Sequence, residues 1–183
     1  MSRVTNLLDD IAASLQNLER PVVRDLERPG LPAEDVAAQI GDAPQAVRDW
    51  YTWCNGTAHR TGQTVGDSYF IPGYFYPALD EALRIRGQGH RDLDTLGDWL
   101  PVLTSASTDM YAVVWRSDRT LGVVGVLEGA ESEIEYLSVE EMLEVFSAAL
   151  REGAFFVQGG TFEVDDDRMD EIYRRVTGRE PLY

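Results

Sequence analysis

The chain has 183 residues, with 16 basic side chains (all arginine) against 32 acidic ones, a formal net charge of −16. That length predicts one domain, or one with an appendage, and a hydrophobic content of 44% with 10% aromatics is too rich for a disordered chain. The charge argues against binding nucleic acid or anionic membranes, since both depend on cationic side chains meeting phosphate, and it favours a basic protein as partner or, more plainly, solubility.

In chain order, Thr5 caps an expected helix over residues 5–18, whose Leu7, Leu8, Ile11, Leu15 and Leu18 form one apolar stripe. Pro21 interrupts the pattern, and Arg28-Pro29-Gly30 marks a turn. Leu31-Pro32 opens a short helix to about Ile40, with Pro32 in its first turn. Gly41-Asp42 breaks it, and Asp42 or Ala43 before Pro44 begins another helix that buries Val47, Trp50, Tyr51 and Cys54; Gly56 stands where a left-handed cap is expected. Residues 57–68 are polar and aperiodic, so they predict an exposed loop. The aromatic stretch Tyr69 to Pro77 predicts a short irregular strand, Leu79 to Arg86 a helix, and Gly87 to Asp94 a loop.

The period then changes from helical to alternating. Leu100 to Leu103, Met110 to Arg116 and Leu121 to Leu127 predict three strands, Ser117-Asp118-Arg119-Thr120 has hairpin-turn composition, and Glu133 to Leu137 adds a further strand. Ser138-Val139-Glu140-Glu141 matches a capping box ahead of a helix bearing Met142, Leu143, Phe146, Ala149 and Leu150, which stops near Gly153. Ala154 to Val157 is a short buried run, Gly159-Gly160 turns the chain, and Asp165 to Asp167 lead into a last helix with Met169, Ile172, Tyr173 and Val176 on one face. Helices, then strands, then helices predict an α+β fold: N-terminal helices, an antiparallel or mixed sheet of about four to six strands, and C-terminal helices packed on it.

Cys54 is the single cysteine, which excludes an intramolecular disulfide and fits a reducing compartment. Met1 to Leu18 lacks the continuous apolar run of a signal peptide, and no window reaches the ~18 apolar residues that cross a bilayer, so a cytoplasmic protein is expected. Nothing predicts catalysis. The nucleophile-elbow, phosphate-loop and HExxH patterns are absent, and Gly87-Gln88-Gly89-His90 follows a helix instead of a strand and lacks the third glycine of a dinucleotide motif. His59, His90 and Cys54 match no zinc spacing, Cys54 on an apolar face reads as an inert thiol, and the acidic stretch from Asp165 places Met169 and Asp170 where a calcium loop needs an oxygen ligand and a glycine. No catalytic residue, metal or cofactor is expected. One feature stands out. Glu128, Glu131, Glu133, Glu135, Glu140, Glu141 and Glu144 occur with no basic residue between them, and a second acidic cluster runs from Glu163 to Glu171, relieved only by Arg168. Such runs form either solvated faces or a docking surface for a cationic partner.

The order of landmarks resembles the SUKH superfamily, which includes the Smi/Knr cell-wall-assembly regulators. Gly41-Asp42-Ala43-Pro44 followed by Val47, Trp50, Tyr51 and Asn55-Gly56 is similar to its N-terminal signature, with Arg28-Pro29-Gly30-Leu31 as lead-in. Trp99-Leu100-Pro101-Val102 and Gly122-Val123-Val124 resemble its core strands, Tyr136-Leu137-Ser138 its closing helix, and Gly153-Ala154-Phe155-Phe156 its tail. The resemblance spans about residues 28–178 and leaves the helix over 5–18 as an extension. It implies a single domain without a catalytic centre that acts by binding other proteins. Many bacterial members are thought to be immunity proteins that neutralise nuclease or deaminase toxins, and others are regulatory scaffolds. The expectation is therefore an immunity-type protein that masks a basic, nucleic-acid-acting toxin, contacting it through Glu128, Glu131, Glu133, Glu135, Asp165, Asp166 and Asp167; the alternative is a scaffold with a non-toxin partner. Trp50, Tyr51, Asn55 and Gly56 read as structural.

Overall fold

Helix α1 (Arg3–Asn17) begins at Ser2, whose hydroxyl accepts the Thr5 amide at 3.2 Å, so the cap lies three residues before the expected Thr5. In the computed structural model, which describes residues 1–117 and 119–182, its stripe of Val4, Leu8, Ile11, Ala12 and Leu15 is buried in the main core. Asp118 of the expected hairpin turn lies outside the described residues. A short α2 (Val22–Asp25) was not legible from spacing. Pro32 and Pro44 sit just outside α3 (Ala33–Ile40) and α4 (Gln45–Trp53), at their N-caps, where the missing amide costs no helical hydrogen bond. The polar 57–68 segment contains a single 3-10 turn, Val65–Ser68, closed by a reciprocal Thr64–Asp67 capping box. Within the expected aromatic strand only β1 (Tyr74–Phe75) forms, and α5 (Leu79–Arg86) follows as expected.

The segment read as a loop over 87–94 contains helix α6 (Arg91–Leu96) instead. Distant residues support it: Arg116 donates to the Leu96 carbonyl at 2.8 Å, and Leu93 is buried in one cluster with Ala112 and Val114. Asp94 accepts the His90 amide at 3.0 Å and the Trp99 indole at 2.8 Å, tying the helix to the start of β2 (Asp98–Ser105). Strands β1, β2, β3 (Met110–Arg116), β4 (Arg119–Val126) and β5 (Glu133–Tyr136) form an antiparallel meander in chain order. One face places Leu100, Leu103, Val113, Trp115 and Val123 in the core shared with α1, α4 and α7 (Val139–Glu152); the other puts Trp99, Ala112, Val114 and Val124 under Leu93 and Ile85. Cover on both faces explains why β2 and β3 are buried almost continuously and do not alternate as anticipated.

Ser138 caps α7 by accepting the Glu141 amide at 3.1 Å, but the Glu141 carboxylate reaches the amide of Leu137, one residue before the position a capping box uses. Gly153 ends the helix in the left-handed conformation. The Ala154 to Val157 run becomes β6 (Phe155–Gln158), paired through the Gly159-Gly160 turn with an unanticipated β7 (Thr161–Val164) in a separate two-stranded sheet. Helix α8 (Asp166–Thr177) then packs on α7 through Ile172 and Tyr173. The α+β architecture stands, with an entirely antiparallel main sheet of five strands.

Candidate functional site

The registers of β4 and β5 create the site. Val123 pairs with Tyr136 and Val124 with Ile134, so Glu135 has no Cα partner on β4. An extra residue of this kind breaks side-chain alternation and re-aims what it carries. The Glu135 side chain turns inward over Gly125, where a Cβ would lie 2.5 Å from Oε2, so the missing side chain makes room for the carboxylate. Its Oε1 accepts the Tyr111 hydroxyl in a long 3.4 Å hydrogen bond. The Glu135 carbonyl accepts from the Tyr173 hydroxyl at 2.7 Å and from Arg179 Nη2 at 3.0 Å, which blunts an otherwise open sheet edge.

Around this carboxylate the Ile71–Tyr74 turn, β3, β5, the β6–β7 hairpin, α8 and the Pro181-Leu182 tail enclose a cavity of about 340 Å3. Tyrosines dominate it: the rings of Tyr74 and Tyr111 lie 5.1 Å apart, Tyr111 and Tyr136 6.0 Å, and Tyr136 and Tyr173 5.7 Å. Leu127, Val164 and Leu182 form an exposed apolar rim. Desolvation holds the Glu135 carboxyl above the ordinary glutamate range, with the neighbouring Tyr136 and Tyr111 hydroxyls pulling the other way. Burial likewise pushes up the phenols of Tyr111 and Tyr136, and pushes that of Tyr74 to about 12.

The seven predicted contact residues separate into groups. Glu128, Glu131 and Glu133 are exposed on the β4–β5 connection and the start of β5, and among the described residues they make no ion pair. Asp166 and Asp167 are exposed in the first turn of α8. Asp165 is partly committed to structure: it caps α8 by accepting the Arg168 amide at 3.1 Å. Glu135 is half-buried, not part of the exposed array. Glu135 and Asp166 line the same cavity, so the two acidic stretches, far apart in the chain, meet there. Two later members of the glutamate run are neutralised by distant arginines, Glu144 by Arg3 at 2.6 Å and Glu141 by Arg179 at 2.7 Å, which no local charge count reveals. Sequence reasoning missed Tyr74, Tyr111, Tyr136 and Arg179 as site residues. The only signal for the tyrosines was their recurrence in strands, which says nothing about convergence, and Arg179 had none.

The other singled-out side chains serve the fold. Tyr51 donates to the Pro101 carbonyl at 2.6 Å and Trp50 is fully buried, stacked 4.8 Å from Tyr76. Asn55 accepts the Leu79 amide at 3.0 Å and so caps α5, and Gly56, at φ +95°, lies where a Cβ would meet Ala78 at 2.8 Å. Cys54 is buried, donates to the Gly56 carbonyl at 3.1 Å, and its thiol is pushed up to about 12, away from nucleophilic character. Among the described residues no three His, Cys, Asp or Glu side chains converge as a metal-binding group, and no helix is long and apolar enough to cross a membrane. No family model matches the chain, and no curated protein matches it at a significant level.

Proposed function

We propose that this protein is a non-enzymatic, SUKH-like binding domain of the immunity type, acting in the cytoplasm to neutralise a basic, nucleic-acid-acting toxin by covering its surface. The observation that carries the reading is that the two acidic stretches meet, through Glu135 and Asp166, at one apolar-rimmed, tyrosine-lined cavity, while Glu128, Glu131, Glu133 and Asp167 of the same stretches are exposed and, among the described residues, without an ion pair. The chain has arginines that reach Glu141, Glu144 and Glu152, yet it leaves these four carboxylates without an ion pair among the described residues. Exposed carboxylates match the cations with which a nucleic-acid-acting protein grips phosphate, and the apolar rim of the cavity supplies the desolvated contact that rim charges alone do not. Occlusion of the toxin's cationic surface then suffices, with no covalent step.

The test is affinity capture from native cell extract at low and moderate salt, followed by an inhibition assay on the captured protein. One dominant basic partner, released by salt and inhibited by the domain, is the expected result. Charge reversal of Glu131, Glu133, Asp166 and Asp167 together is expected to weaken that complex by on the order of tenfold or more, since exposed pairs contribute about 0.2–1 kcal/mol each. Unchanged affinity overturns the acidic-face mechanism. Several non-toxic partners without inhibition indicate the regulatory scaffold instead.

A further inference from the structure

The cavity behind Glu135 has features that neither core packing nor general acidity requires. At about 340 Å3 it falls at the low end of the roughly 300–1,000 Å3 typical of ligand pockets. The Tyr136 hydroxyl is fully buried and lines this cavity without a hydrogen-bond partner; it lies close enough to Glu135 for each to shift the other's proton affinity, but out of hydrogen-bond geometry. A buried polar group left in that state costs about 1–3 kcal/mol, a cost that a donor entering the cavity beside Glu135 would offset. The Glu135 carboxylate also has no ion-pair partner among the described residues. The nearby Arg179 guanidinium bonds instead to the Glu135 backbone carbonyl and to the Glu141 carboxylate.

We propose that this cavity receives one arginine side chain of the basic partner, its guanidinium set among Tyr74, Tyr111 and Tyr136 and paired with the Glu135 carboxylate. The inference rests on the binding reading above and identifies the anchor of that interface. Arginine fits better than lysine on three counts. Its guanidinium is more weakly hydrated than an ammonium, its plane stacks on aromatic rings, and its five donors can serve Glu135 and the orphaned Tyr136 oxygen together. Leu127, Val164 and Leu182 at the rim sheath the methylene stem, and Asp166 beside them offers a counter-ion to a second positive charge. The arrangement makes Glu135 a binding carboxylate that is ionised at a cost until the arginine arrives.

The probe is a capped Gly-Arg-Gly peptide, compared with its citrulline counterpart, which keeps the shape and loses the charge. Both are titrated into the full chain with tyrosine ring resonances observed by NMR. The arginine peptide is expected to move the Tyr111 and Tyr136 signals in a saturable way, and the citrulline peptide to leave them unmoved. Glu135→Gln is expected to lower the affinity at least about tenfold, and Tyr136→Phe severalfold, as expected for charge-assisted hydrogen bonds. A cooperative melt and unchanged ring-shift dispersion confirm that both near-isosteric variants fold. Equal binding of the citrulline peptide, or arginine binding that survives Glu135→Gln, overturns the pocket. That failure is separable from failure of the immunity reading, because charge reversal of Glu131, Glu133 and Asp167 alone, none of which lines the cavity, is scored on the whole partner.

Discussion

Glu135 carries opposing demands. Water removed from its carboxylate raises its proton affinity, so the folded state holds this proton more tightly than the unfolded chain does. The groups that face it are the phenols of Tyr74, Tyr111, Tyr136 and Tyr173, the Arg179 guanidinium on its carbonyl, and Asp166 and Asp170 across the cavity. The sign follows from linkage: below the ordinary value of 4.5 the group is neutral in both states, and stability is lost as pH rises through the folded value, where the native protein must ionise a desolvated acid. Glu135→Gln removes that loss. The variant is therefore expected to melt higher than the wild type at neutral pH, with the gain vanishing at pH 4.5 and below, as thermal unfolding across pH will show. A more stable protein that binds its partner less well is the signature of a functional residue held against the preference of the fold. A wild type as stable as the variant at neutral pH would remove the cost assigned to Glu135.

At the level of elements, α8 separates two uses of aspartate that look identical in the chain. Asp165 caps the helix, whereas Asp166 is exposed at the cavity rim. Asp165→Ala is expected to destabilise the protein by about 1 kcal/mol, read as a lower urea midpoint at constant slope. Asp166→Asn is expected to change stability by less than about 0.5 kcal/mol and to weaken partner binding. If the two variants behaved alike, the division of roles along Asp165 to Asp167 would be wrong. The helices with clear stripes, α1, α4, α7 and α8, were legible from their spacing because burial on one face imposes the helical period. Helix α6 and strand β7 were not. Six and four residues are too few to show a period, and contacts such as Arg116 to the Leu96 carbonyl come from elsewhere in the chain.

For the whole molecule, an excess of sixteen negative charges repels itself more than scattered surface ion pairs compensate. Arg3–Glu144, Arg175–Glu152 and Arg174–Glu180 are largely exposed and contribute at most about 1 kcal/mol each. Adding salt shortens the Debye length to ~10 Å at 0.1 M and screens both effects, and the repulsion is the larger. The melting temperature is therefore expected to rise with sodium chloride while affinity for the proposed basic partner falls over the same range. A melting temperature that drops with salt would mean that the ion pairs outweigh the repulsion.

The linear chain by itself determined the class of fold, the burial of Trp50, Tyr51 and Cys54, the acidic balance and the helix stripes, because each depends on local periodicity or on simple composition. Only the tertiary structure decided which carboxylates remain exposed and unneutralised, because arginines as distant as Arg3 and Arg179 select Glu144 and Glu141 and pass over Glu131 and Glu133. It also decided that Glu135 leaves the exposed array, because one residue of register shift between Val123 and Val124 reverses where a strand side chain points, and no alternation pattern encodes a shift set by pairing with another strand.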